Sequence, residues 1–430
     1  MELSTLYKCF LECEEVTTDS RNCPAGSMFI ALKGGNFNGN AFADAALKQG
    51  CRYAVVDEPQ YASPGNAQFI LVDDCLRTLQ ALANYHRRSL GTKVVGITGT
   101  NGKTTTKELI AHVLMKKYRV LYTQGNLNNH IGVPLTLLRL KPEHEMAVIE
   151  MGANHPGEIH DLVQIVEPDC GLITNVGKAH LEGFGSFEGV IRTKGELYDF
   201  LRMKPGAVVF IQNENPYLNK IAHGLTCVRY GSAADLDVSG QVTSCSPFLA
   251  FRWETEGEKQ EVQTHLIGAY NLDNALASIA VGRYFGVDSK AISEALSAYI
   301  PQNNRSQFKA TVSNQLIIDA YNANPTSMMA ALNNFKQMDG GHKMVILGDM
   351  KELGAGSRGE HQRIVDYLSS CNFERVVLVG NEFAAIHHPF EQYAQVEEVI
   401  TELQTHSVQG FLILIKGSNS MKLSQLPSFL

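Results

Sequence analysis

Gly96-Ile97-Thr98-Gly99-Thr100-Asn101-Gly102-Lys103-Thr104-Thr105 closes an apolar run, Lys93-Val94-Val95-Gly96-Ile97, and opens a stretch of helical spacing over 105–117. Strand, glycine-rich turn, Lys-Thr and helix follow one another in the order a phosphate-binding loop needs. Glycines let backbone N–H groups turn inward, where they meet phosphate oxygens at a helix N-terminus. Lys103 is placed to neutralise the β- and γ-phosphates, and the Thr104 hydroxyl to ligate Mg²⁺. The residue five before Gly102 is Ile97, so the loop is the shortened Gly-x-x-Gly-Lys-Thr form. It implies binding of a nucleoside triphosphate and leaves open what the energy is used for, since a motor, a switch and a ligase all carry such loops.

Outward from the loop the chain alternates apolar strands with amphipathic helices. Strands are expected at 119–122, 146–150, 171–174 and 207–211, which implies a largely parallel sheet with helices on both faces. Glu150 ends one of these strands, so its carboxylate faces the same crevice as the loop and is the first Mg²⁺ candidate. No Asn-Lys-x-Asp motif is present, which weighs against a guanine-reading switch. Before this zone, residues 1–88 hold short strands at 28–32, 53–56 and 69–72 and a Gly/Asn-rich loop from Gly34 to Asn40, closed by a helix over 76–88. After Pro301 the rhythm repeats on a smaller scale, with strands at 316–319, 344–347, 376–379 and 412–415. That third zone reads as Rossmann-like without a GxGxxG fingerprint, so it is assigned no dinucleotide. The reading is three α/β domains, 1–88, 89–301 and 302–430, the middle one built around the phosphate loop.

Bulk composition agrees with a globular protein: 430 residues, 44% hydrophobic and 19% charged. A net charge of -7 argues against a nucleic-acid binder held by phosphate contacts. The longest apolar runs, such as Phe411–Ile415, are far below the ~18 residues of a membrane span, and no signal peptide is read at the N-terminus. Nine dispersed cysteines, with no zinc spacing around Cys9 and Cys13, are expected to be reduced thiols. A cytoplasmic protein is expected, without membrane insertion or a nucleic-acid partner, and, in the absence of a coiled coil, a monomer.

Several blocks together resemble the Mur ligase family. The loop Gly99–Thr104 is similar to the family's ATP signature, and Asn126-Leu127-Asn128-Asn129-His130-Ile131-Gly132-Val133-Pro134 to its muramoyl-substrate loop. Glu150–Ala153 and Asn175–Glu182 resemble its metal-binding segments, and Gly268–Ala275 its adenine-contacting helix start. Asp319-Ala320-Tyr321-Asn322-Ala323-Asn324-Pro325 and Leu347–Gly354 narrow the resemblance to the branch that adds D-alanyl-D-alanine to a UDP-linked muramoyl tripeptide.

The resemblance assigns roles. Thr104, Glu150 and His180 become the Mg²⁺ ligands; Lys194 aligns with a lysine carbamylated in related ligases, against the plainer reading of a surface lysine on a helix. Thr105, Asn271, Asn274, Asp319 and Tyr321 join the loop in holding ATP, and Arg305 reaches the γ-phosphate to stabilise developing charge. Asn126, Asn128, Asn129, Asn322 and Asn324 fall to the substrates, and Asp19, Ser20, Arg21, Gly34 and Asn38 to the UDP moiety in the first domain, where turn chemistry alone would also explain them. Asn40, Asn419 and Ser424 depart from the family's pattern, which has His, Arg and Glu there. The implied reaction is ATP-dependent amide bond formation between UDP-MurNAc-tripeptide and D-Ala-D-Ala through an acyl phosphate. The alternatives are a sibling ligase or folylpolyglutamate synthetase-like enzyme, a P-loop ATPase that moves a partner, and a non-catalytic nucleotide-binding scaffold.

Overall fold

The computed structural model describes residues 2–302 and 305–430. Besides a two-stranded antiparallel ribbon of Lys33–Gly34 and Phe37–Asn38, three sheets follow one another along the chain. The first is a short parallel sheet ordered Val16–Thr17, Met28–Ile30, Tyr53–Val56, Phe69–Leu71. The second has nine strands ordered Glu258–Ile267, Phe248–Thr255, Val238–Cys245, Thr226–Gly231, Val208–Gln212, Cys170–Ile173, Lys93–Thr98, Met146–Glu150, Val120–Tyr122. The third has six, ordered Gln307–Ala310, Gln315–Asp319, Phe411–Lys416, His342–Gly348, Arg375–Val379, Glu391–Tyr393.

The strand leading to the phosphate loop lies inside the second sheet and is buried from Val94 to Thr98. Helices cover both faces of a parallel sheet, so its central strands are buried along nearly their whole length and mostly apolar, as Met146–Glu150 also is up to its final carboxylate. Parallel pairing extends from Val120–Tyr122 to Val238–Cys245 and then gives way to antiparallel pairing out to Glu258–Ile267. Here the structure departs from the strand–helix alternation expected up to residue 300. Phe251, Trp253 and Thr255 are buried while Arg252 and Glu254 are not, an alternation of period two that belongs to a meander with one wet face. In the third sheet only the first pair is antiparallel.

The helix closing the first unit, Cys75–Leu90, starts with the Asp74 carboxylate accepting Arg77 N–H and ends at Gly91, φ 66°. It also fastens the first unit to the second. His86 bridges Tyr7 Oη (3.0 Å) and Leu140 O (2.9 Å), and Arg87 donates to Val166 O, Glu167 O and the Asp169 carboxylate. One continuous apolar core runs from Leu6 through Leu82 and Val94 to Ala222, across both units.

Asn40, where the family pattern has His, is 1% exposed. Its amide Nδ2 donates to Asp57 Oδ1 (2.9 Å) and its Oδ1 accepts Asp57 N–H (2.9 Å). Asp57 also takes Cys75 N–H (3.1 Å) at the start of the fastening helix. Asn40→Ala strands these groups away from water, so a loss of about 1–3 kcal/mol is expected, read as a lower urea midpoint; an unchanged midpoint would show the pair to be dispensable.

Candidate active site

A cleft of about 830 Å³ opens at the carboxyl ends of the second sheet's strands, where a doubly wound sheet places its ligands, and the third unit supplies its opposite wall. Thr100 to Thr105, Asn126, Asn128, Asn129, Glu150 and His180 line one side. Arg305, Asp319, Tyr321, Asn322 and Lys416 line the other.

The helix after the loop spans Lys103–Leu114, beginning two residues before the expected start. Gly102, φ 79°, turns the chain into it, and Gly99, φ 140°, has no room for a side chain because a Cβ would lie 2.0 Å from Thr174 Oγ1. Lys103 Nζ donates to Gly99 O (2.8 Å) and Thr100 O (3.0 Å), arching over its own loop. Burial holds its ammonium below the usual lysine range and Arg305 adds to this, while Glu150 opposes it.

Thr104 and Glu150 are both buried, and the Thr104 hydroxyl donates to Glu150 Oε1 at 3.3 Å. Asn128 Nδ2 donates to the same oxygen at 2.8 Å, and Glu150 N–H is held by the Thr123 hydroxyl. Glu150 Oε2 is buried with no hydrogen-bond partner. A carboxylate oxygen left open beside a hydroxyl is a donor set that suits a hard divalent cation, with water and phosphate filling the remaining positions. His180 borders the same cleft, but its Nδ1 pairs with Glu352 of the third unit. Burial pushes this imidazole below its ordinary value, and Glu352 opposes the shift. Among the described residues, no three His, Cys, Asp or Glu side chains gather into a ligand set by themselves.

Lys194 is no surface lysine: it is 2% exposed, on the helix Phe187–Met203, with Nζ donating to Ala153 O (3.1 Å) over the Phe184 ring. Burial drives its ammonium well below the usual range, and Lys103 adds to the effect. Asn274 Oδ1 accepts the Thr106 hydroxyl (3.0 Å) and its Nδ2 donates to Asn271 Oδ1 (2.8 Å), so this pair braces the loop helix while bordering the cleft.

In the third unit the Arg305 guanidinium lies 3.8 Å from the Tyr321 ring centroid, and its Nε is buried without a partner. Stacking sets the guanidinium plane and leaves its donors directed elsewhere. Asp319 Oδ2 accepts from Lys416 Nζ at 2.5 Å, and Lys416 also donates to Asn322 O (3.2 Å). The reading from sequence left Lys416 without a role. Its signal was a charged residue ending an otherwise apolar strand, in register with Asp319. Asn324 does not border the cleft; it caps the helix Pro325–Gln337 and donates to Asn101 Oδ1 at 2.7 Å. The first-unit candidates lie away from this cleft as well. Arg21 grips Asp19 through two side-chain bonds and holds its carboxyl down to about 2, Ser20 lies between them, Gly34 is exposed, and Asn38 accepts Asn40 N–H.

A phosphate loop facing an arginine and a lysine–aspartate ion pair from a second α/β unit defines a nucleotide-handling protein of three units. Three family models match the chain: "Mur ligase family, catalytic domain" over 12–87, "Mur ligase middle domain" over 97–282 and "Mur ligase, glutamate ligase domain" over 304–419. The UDP-N-acetylmuramoyl-tripeptide–D-alanyl-D-alanine ligase of Bacillus subtilis is 37% identical over 423 residues, covering 96% of this chain and 92% of its own. Among solved structures, MurF from Acinetobacter baumannii superposes with a TM-score of 0.88 at 30% identity, covering 99% of this chain and 97% of its own. MurF ligase from Thermotoga maritima in complex with ADP gives 0.86 at 26%, covering 98% and 97%. The chain belongs to the Mur ligase family.

Two predictions follow from the geometry. Gly99→Ala puts a methyl into Thr174 at a φ that L-residues avoid, so nucleotide binding should be lost while the urea midpoint falls; wild-type binding would contradict the steric argument. Lys194 has a folded pKa below its unfolded value. Burying it as a cation therefore costs stability below that folded pKa, and the cost fades as pH rises toward the unfolded lysine value. Comparing wild type with Lys194→Met between pH 7.5 and 9.5, the wild type should gain stability relative to the variant as pH rises; a constant difference would mean its pKa is not depressed.

Proposed function

We propose that the protein is an ATP-dependent, ADP-forming amide ligase that joins D-alanyl-D-alanine to UDP-N-acetylmuramoyl-tripeptide, giving the UDP-linked pentapeptide of peptidoglycan synthesis. The observation that carries this reading is the near-full-length match, at 37% identity, to a relative whose name states that activity. A cleft lined by a phosphate loop and by a second wall of polar groups supports it.

A peptide carboxylate is a poor electrophile. In the proposed course its oxygen attacks the γ-phosphorus of ATP, the bond to the β-phosphate oxygen breaks, and an acyl phosphate and ADP result. The amine of D-Ala-D-Ala then attacks the acyl carbon, loses a proton and expels inorganic phosphate. Such chemistry asks the protein for positioning and charge stabilisation. The N–H groups from Gly102 to Thr105 at the helix start and Lys103 hold the phosphates, while Arg305, stacked on Tyr321, meets charge developing on the transferred group. Asn271, Asn274, Tyr321 and Asp319 border the nucleotide, and Lys416 fixes the Asp319 carboxylate. Asn126, Asn128, Asn129 and Asn322 face the peptide substrates. In the first unit, Asp19, Ser20, Arg21, Gly34 and Asn38 serve the UDP moiety.

Thr104, Glu150 and His180 would hold Mg²⁺, which supplies charge neutralisation between the phosphate oxygens. Burial shifts the Lys194 amine toward its neutral form, the form that takes up carbon dioxide, and a carbamate there would add a metal-binding anion. No helix among the described residues is long and apolar enough to cross a membrane. A cytoplasmic monomer completes the reading.

Phosphate release by purified protein with ATP and Mg²⁺ should require both UDP-MurNAc-tripeptide and D-Ala-D-Ala, with a UDP-linked pentapeptide in the mass spectrum. Testing the lysine and diaminopimelate tripeptides separately names the preferred third residue. Release without either substrate, or no extended product, would sink the assignment. Arg305→Ala should lower kcat by about 10²-fold or more while ADP still binds; an unaffected kcat removes Arg305 from the transfer step.

A further inference from the structure

Asn101 stands just before Gly102 and Lys103, and its polar atoms are held from two directions. Its N–H donates to Asn175 Oδ1 (3.0 Å), and its carbonyl accepts from Thr174 Oγ1 (2.7 Å) and Asn175 Nδ2 (3.0 Å). Both partners follow the strand Cys170–Ile173 of the second sheet. The side chain turns the other way. Asn101 Oδ1 accepts from Asn324 Nδ2 at 2.7 Å, and Asn101 Nδ2 faces Asn324 Oδ1 at 3.5 Å.

Asn324 belongs to the third unit and is 4% exposed. Its Oδ1 accepts Ser327 N–H (2.9 Å), and the Ser327 hydroxyl accepts Asn324 N–H (3.1 Å), a reciprocal cap on the helix Pro325–Gln337. The cap decides which way the amide points: the oxygen serves the helix, so the NH₂ group is left to face Asn101. A close approach lies beside this bond: Gly177 leaves no room for a side chain against Thr326, since a Cβ there would lie 3.1 Å from Thr326 Oγ1, and Gly177 N–H donates to the Thr100 hydroxyl at 3.0 Å. The third unit thus abuts the phosphate loop at Asn101 directly and at Thr100 through Gly177. Lys103 hangs from the carbonyls of the same loop.

We propose that Asn324 is a positioning residue: through Asn101 it makes the shape of the phosphate loop depend on the third unit's being seated, so that Lys103 is aligned only when Arg305 and Asp319 are also in the cleft. The proposal rests on nucleotide binding in that cleft and not on the identity of the acceptor.

Asn324→Ser keeps a good helix cap but is too short to reach Asn101. The urea midpoint should fall only slightly, by what one half-buried hydrogen bond contributes. Hydrogen exchange of loop amides over 99–103, measured with a non-hydrolysable ATP analogue and Mg²⁺, should quicken about tenfold, and kcat should fall about tenfold with the KM for ATP little changed, the loss expected of one buried hydrogen bond. Asn101→Ser breaks the same pair from the other side and carries the test if Asn324→Ser does not fold. In the double variant kcat should fall no further than with Asn101→Ser alone. Wild-type loop protection and kcat in Asn324→Ser, or effects that simply add, would overturn the proposal. If the wild-type protein forms no pentapeptide, the ligase reading fails, while the exchange measurement still decides the role of Asn324.

Discussion

Gly99 and Thr174 meet so closely that one missing Cβ sets the geometry of the cleft. With φ at 140° the glycine leaves its carbonyl to Lys103, and the Thr174 hydroxyl beyond it reaches Asn101 O. The backbone leaving the strand Lys93–Thr98 is thereby locked against Asn175, which follows the neighbouring parallel strand, and the helix Lys103–Leu114 starts where the curve ends, with its first N–H groups at the cleft. The other cleft residues are registered against that curve. Glu150 reaches the first turn of the helix, Asn274 packs on Gly102, and Asn324 reaches Asn101 from the third unit.

Charge in the cleft is arranged in matched but incomplete sets. Glu150 accepts from Thr104 and Asn128, yet keeps one oxygen open. Arg305 lies flat on Tyr321 with Nε unpartnered. Buried groups with open valences cost free energy unless a ligand satisfies them. Their convergence on one cleft, while Asp319 and Lys416 satisfy each other at its edge, marks where a charged ligand fits. Lys107, 0% exposed and 3.9 Å from Glu150 Oε2, adds a buried positive charge behind the carboxylate.

The loop, its flanking strand and the carboxylate at Glu150 were legible because local chemistry fixes them: glycine conformation, a strand–helix junction and a carboxylate at a strand end. The inner strands of the first and third sheets were legible for a similar reason, as short apolar runs bounded by turns, whereas Val16–Thr17, Gln307–Ala310 and Glu391–Tyr393, each at a sheet edge and largely polar or exposed, were not read. The meander over 238–267 escaped notice because its signal is a weak alternation with many polar positions, easily lost beside continuous apolar runs. Long-range pairings left little trace. Nothing near Asn324 in sequence reveals Asn101, 223 residues away, and nothing near His180 reveals Glu352. Lys194 sits among Arg192, Thr193 and Glu196, which read as a surface, although its helix buries it completely against Ala153 and Phe184.

Asp319 and Lys416 end adjacent parallel strands that are 97 residues apart in the chain. A lone substitution at either position leaves the other charge without its partner, the buried Lys416 most of all, whereas exchanging both for a well-packed apolar pair leaves no orphan. The two positions are therefore inherited as a unit. Across descendants of this chain they should be found changed together or not at all, and a recombination breakpoint falling between them would join halves that fit only if both parents carried the same pair.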